Sequence, residues 1–118
     1  MSLTLNEIFN GNTIRKRAEL SWNEKSYKTK IMSMYKYRHI LKKYYPNEEN
    51  SSWNTTFDQL SRFQQNILIK GELIRTYDLL PNHDKTRIKK EFKLSRYSSK
   101  WYKLDSKDKK KLLNHMLH

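Results

Sequence analysis

Apolar residues recur along this chain at helical spacing, and the capping signals between the runs mark where helices begin. The longest run predicts a helix from about Trp22 to Tyr45, ended by Pro46. At 100° per residue, Tyr27, Ile31, Met34, Tyr37, Leu41, Tyr44 and Tyr45 share an arc of about 140°. Lys25, Lys28, Lys36, His39 and Lys43 lie opposite, so this helix is amphipathic with a cationic back. Lys30 intrudes on the apolar arc and Met32 on the basic one.

Upstream, Thr4 and Glu7 have capping-box spacing with Leu3 and Ile8 as a hydrophobic staple, predicting a short helix from Leu5 to Phe9. Asn10, Gly11 and Asn12 read as a turn, since Gly and Asn tolerate positive φ. Thr13 opens a second short helix through Leu20, and Ser21 with Glu24 caps the long one. After a polar loop at Asn47 to Ser52, Thr56 and Gln59 cap a helix running toward Leu80 and stopped by Pro81. Phe57, Leu60, Phe63, Ile67 and Ile74 share one face of it, and Ile69, Leu73 and Leu80 another. That helix is therefore buried on two sides or broken at Gly71. Asp84 caps a helix bearing Ile88 and Phe92, and Asp105 or Ser106 caps a last one striped by Leu112, Leu113, Met116 and Leu117.

These elements predict an all-α fold: one domain over residues 1–118, a compact bundle of four to six helices with a basic C-terminal helical pair. Composition agrees. Two glycines, two prolines and no valine leave a sandwich or barrel without its turns and strand formers. No run of about 18 apolar residues spans a membrane, and the first residues lack the apolar core of a secretory signal, so the reading is an intracellular protein with no membrane role. With no cysteine, disulfides, thiolate metal sites and cysteine nucleophiles are all excluded.

Charge changes the picture most. Lys and Arg number 25 against 12 Asp and Glu, a formal +13, and residues 82–111 hold +8 of that excess. Basic residues neutralise phosphates and release their counterions, which points to a nucleic-acid partner. Three clusters are the candidate contacts: Arg15 with Lys16 and Arg17; the stripe Lys25, Lys28, Lys36 and Lys43; and the C-terminal set Lys85, Arg87, Lys89, Lys90, Lys93, Arg96, Lys100, Lys103, Lys107, Lys110 and Lys111. Twelve cations in thirty residues repel one another unless a polyanion or an acidic partner screens them. Arg96, Tyr97, Lys100, Trp101, Tyr102 and Lys103 also interleave rings with charge, as stacking on unpaired bases requires. For Trp101 the structural alternative, sealing the junction of the last helices, is preferred. Tyr35, Tyr37, Tyr44 and Tyr45 read as core or core rim. Lysine outnumbers arginine 18 to 7, which favours general backbone attraction over bidentate base reading.

Catalytic chemistry has little support. Glu48 with Glu49, and Asp105 with Asp108, sit in loop or capping positions that solvation and helix-end electrostatics explain. His115 and His118 lack the further ligands a metal needs, and there is neither a Gly-rich phosphate loop nor a nucleophile elbow. Trp101, Leu104, Asp105, Asp108 and Lys109 resemble the opening of the third helix of an HMG box, a DNA-bending module, although that family's proline-rich aromatic start is missing here. Tyr37, Arg38, Leu41 and Lys42, with Glu91, Phe92 and Lys93 later, are similar to scattered signatures of the LYR family of mitochondrial helical adaptors, with Lys36 where the leading leucine stands. Neither stretch carries function across. The expectation is a non-catalytic nucleic-acid-binding protein without cofactor, RNA preferred over DNA. The alternative is a small helical adaptor or subunit of a larger assembly, ribonucleoprotein or mitochondrial, acting through protein–protein contacts with Ile69, Leu73 and Leu113 as interface.

Overall fold

Asn10 shows how local chemistry sets the helix boundaries. Its amide nitrogen donates to the carbonyls of Asn6 (2.6 Å) and Glu7 (3.1 Å), closing helix α1 (Leu5–Ile8). Its amide oxygen accepts the Thr13 N–H at 2.9 Å, opening helix α2 (Gly11–Asn23). The expected turn at Asn10 to Asn12 is thus only a junction, and Gly11 and Asn12 already belong to the second helix. Gly11 is there for space, not for a positive φ. A Cβ at that position would lie 3.0 Å from the Met116 carbonyl oxygen, a backbone atom that can retreat little.

The computed structural model describes residues 5–44, 53 and 55–117, apart from the side chains of Met34 and Leu41. The expected Thr4 cap, the Leu3 staple, the helix end at Tyr45 and Pro46, the Asn47 to Ser52 loop with Glu48 and Glu49, and His118 lie outside the described residues. The chain is all-α. Helix α3 (Tyr27–Tyr44), a 3-10 turn (Phe57–Gln59), α4 (Arg62–Leu79), α5 (Asn82–Glu91), a second 3-10 turn (Trp101–Lys103) and α6 (Ser106–Met116) follow α2, with no strand among the described residues. They group into two units, residues 1–17 with 69–118 and residues 18–68; α2 and α4 contribute to both.

In the 18–68 unit, α2 runs on to Asn23, so Trp22 ends that helix instead of starting the next. Ser26, not Ser21, sits before α3: its hydroxyl accepts the Thr29 N–H at 3.3 Å. Lys25 therefore lies between helices and off the α3 stripe. Trp22 and Trp53 pack edge to face at 5.8 Å, and Tyr37 stacks on Trp53 at 5.7 Å. The Trp22 indole donates to the Thr55 carbonyl, and Asn23 accepts the Phe57 N–H, both at 2.9 Å. The cap expected from Thr56 is replaced by a reciprocal box one turn later: Ser61 N–H donates to Gln64 Oε1 and Gln64 N–H to Ser61 Oγ. Tyr27, Tyr35 and Tyr44, expected in or beside the core, are exposed.

The other unit gathers Phe9, Ile14, Leu73, Ile88, Trp101, Leu112 and Met116 around the buried part of α4, which Gly71 does not interrupt. Ile69 and Leu73 are core, which removes them as free interface, while Leu113 is half-buried. Trp101 is buried, as its structural reading expects, but its ring contact is to α4, edge-on to Tyr77 at 5.9 Å. Pro81 occupies the N-cap of α5, so Asp84 falls inside the first turn and not at the cap. No described helix is long and apolar enough to cross a membrane.

Candidate functional site

The connection between α5 and α6 is irregular backbone, and side chains from the helices beneath it supply its hydrogen bonds. Helix α5 ends in a Schellman arrangement: Lys93 adopts φ 53° and the Leu94 N–H returns to the Lys89 carbonyl at 2.9 Å. Ser95 is then clasped by two aspartates. Its N–H donates to both oxygens of buried Asp108 (3.0 and 3.1 Å), and its hydroxyl lies 2.6 Å from Asp105 Oδ2 and 2.8 Å from Asp108 Oδ2. Asp105 also accepts the Asp108 N–H at 2.9 Å as the N-cap of α6. The Ser95 hydroxyl first, and then that N–H, hold the Asp105 carboxyl below the usual carboxylate range. Of the two expected explanations for this aspartate pair, solvation fails for buried Asp108, while helix-end electrostatics holds, since Asp108 lies in the first turn of α6.

Further along, the Tyr77 hydroxyl donates to the Ser98 carbonyl and the Lys85 ammonium to the Ser99 carbonyl, each at 2.6 Å. The Trp101 N–H donates to Asp78 Oδ1 at 2.8 Å, and the Arg96 guanidinium to the Lys103 carbonyl at 2.9 Å. The backbone so held forms an open groove of about 600 Å³ whose lining includes Arg96, Tyr97, Tyr102 and Lys103 together with Ser98, Ser99 and Leu104. Tyr102 is 71% exposed and Tyr97 41%, with the Tyr97 hydroxyl pinned on Asn82 Oδ1 at 3.0 Å.

The C-terminal cations divide by environment. Arg87, Lys90, Lys93, Arg96, Lys100, Lys103, Lys107, Lys110 and Lys111 are exposed, and Lys89 is half-buried. Among the described residues only Arg87 of this set is ion-paired, at 3.8 Å from Glu91. Lys85 departs from the expected surface role: it is 4% exposed, and its ammonium serves the Asp78 and Ser99 carbonyls over the Tyr77 ring. Lys85 precedes Ile88 by three residues and Phe92 by seven, so helical spacing already puts it on the apolar face of α5, a signal its place among lysines masks. In the N-terminal cluster Arg15 and Lys16 are exposed and Arg17 is half-buried. On the other unit, Lys28, Lys36 and Lys43 are exposed along α3 and Lys25 is half-buried beside it.

Among the described residues, no group of three or more His, Asp or Glu could hold a metal, and His115 packs edge-on against Phe92 at 4.8 Å. Comparison with protein-family models, with curated proteins and with solved structures found no match.

Proposed function

We propose that the chain is a non-catalytic nucleic-acid-binding protein whose C-terminal surface, from α5 to α6, engages the phosphate backbone, with RNA preferred over duplex DNA. One observation carries this reading: nine exposed cations lie between Arg87 and Lys111, and among the described residues only one of them has a carboxylate within ion-pairing distance. Unpaired surface charge of one sign costs self-repulsion that a polyanion relieves through counterion release. The exposed tyrosines beside the charge support an RNA partner, because unpaired bases offer faces on which rings stack.

Fluorescence anisotropy with labelled RNA across a salt series tests it. Lys90, Lys93, Lys100 and Lys103 changed together to glutamate should weaken binding and flatten the plot of log affinity against log salt, by about 0.7 to 0.9 for each phosphate no longer neutralised. Circular dichroism should remain helical, since all four side chains are exposed. Affinity and slope equal to those of the wild type would remove this surface as the site.

A further inference from the structure

Resting on that reading, we infer that the groove formed by residues 96–104 is a subsite for one unpaired nucleotide, its base on the Tyr102 ring and its phosphate between Arg96 and Lys103. The groove, of about 600 Å³, is wide open to solvent, so a nucleotide would lie across it with its base against one side chain and not be enclosed.

Three features fit it to a nucleotide. Tyr102 presents a mostly bare ring, with the Lys103 ammonium 5.9 Å from its centroid, so a base stacked there gains apolar contact beside a cation. Arg96 spends one amino group on the Lys103 carbonyl, which fixes the direction of its guanidinium and leaves further N–H donors for a phosphate. The floor is already ordered: the carbonyls of Ser98 and Ser99 are taken by Tyr77 and Lys85, and the Trp101 N–H by Asp78. Binding there does not have to order the loop, a cost that otherwise subtracts from affinity. A duplex keeps its bases stacked on one another and offers Tyr102 no face, so the subsite separates single strands from paired ones.

The experiment uses the full chain with a labelled oligouridylate and an RNA hairpin of equal length, at equal salt. Wild type is expected to favour the oligouridylate. Tyr102→Ala should lower affinity for it about tenfold and leave hairpin binding and the salt slope unchanged, while Tyr102→Phe, which keeps the ring, should stay within about twofold of wild type. Equal binding of both probes, with Tyr102→Ala indistinguishable from wild type, overturns the subsite and leaves the phosphate-binding reading standing. Binding of neither probe overturns that reading and the subsite with it.

Discussion

Helix α3 and the α5–α6 connection both concentrate positive charge, and they hold it in opposite ways. On α3, Lys28, Lys36 and Lys43 project from backbone that satisfies itself through the helix ladder, and two of them lie over neighbouring rings, Lys36 over Tyr37 and Lys43 over Tyr44. Any one of those lysines can change without leaving a backbone group unpaired. In the connection the cations stand on backbone held by Tyr77, Asp78, Lys85 and Asp108 from below. Charge is an ornament of the fold on α3; in the connection, position and fold are coupled. The same charge density therefore yields a bare cationic face in one region and a shaped groove in the other.

The sharpest way to break this contrast is to remove the clasp. Asp108→Ala takes away the acceptor for the Ser95 N–H, while the Ser95 hydroxyl keeps Asp105; a loop donor is left without its charged partner, and unfolding free energy should fall by about 3 kcal/mol. Lys36→Gln on α3 should stay within about 0.5 kcal/mol of wild type. Urea titration of the two variants decides the matter. Similar midpoints would mean that the connection is no more dependent on side-chain bonds than the helix.

Legibility in the sequence follows the same division. Helix periodicity and Gly/Pro scarcity exposed the all-α class, and Asp105 as cap of α6 was readable because an N-cap depends on neighbours within one turn. Boundaries failed where two caps competed. Ser21 and Glu24 have the same spacing as Ser61 and Gln64, yet only the second pair closes, because α2 is carried past Ser21 to bring Trp22 onto Trp53. The cationic candidates were visible as composition, but the groove was not. It depends on the Lys85 ammonium reaching Ser99 fourteen residues away and on Ser95 meeting Asp108 thirteen away, pairings that no local pattern encodes. Tyr27 and Tyr44 miss the core for a related reason: an apolar arc shows which residues can be buried together, not how much of the arc finds a partner.

A pH series sharpens the contrast next, through the tyrosine under the groove. Burial first, then the negative charges of Tyr97, Asp78 and Asp108, push the Tyr77 hydroxyl from 10.0 up to about 12. Between those values the unfolded chain has released this proton and the folded chain retains it. Stability from Tyr77 is therefore intact below pH 10 and lost as pH rises through about 12, at most about 2–3 kcal/mol. Lysines titrate in the same window, so the measurement is the difference from Tyr77→Phe. Wild type should lead by about 1 kcal/mol at neutral pH, from the bond to Ser98, and lose that lead on the way to pH 12. A constant difference across the range would sever Tyr77 ionisation from the stability of the loop.

The smallest effect tests whether charge in the connection is retained against the preference of the backbone. Lys93 stands in the left-handed region where a Schellman turn favours glycine, a conformation that costs a side-chain-bearing residue about 1 kcal/mol. Lys93→Gly relieves that strain and loosens the unfolded chain, so a net gain of about 0.5 kcal/mol is expected by urea titration. Lys93→Asn tolerates the same φ without a comparable entropy change and should also be no less stable than wild type. Both variants remove one exposed cation, and both should reduce the salt slope of RNA binding by up to about 1. On α3, Lys28→Gln removes a cation from relaxed helical backbone, where no such gain is available. Higher stability with lower affinity at position 93 alone would mean that lysine is held there for its charge, at a place where the fold by itself would have glycine.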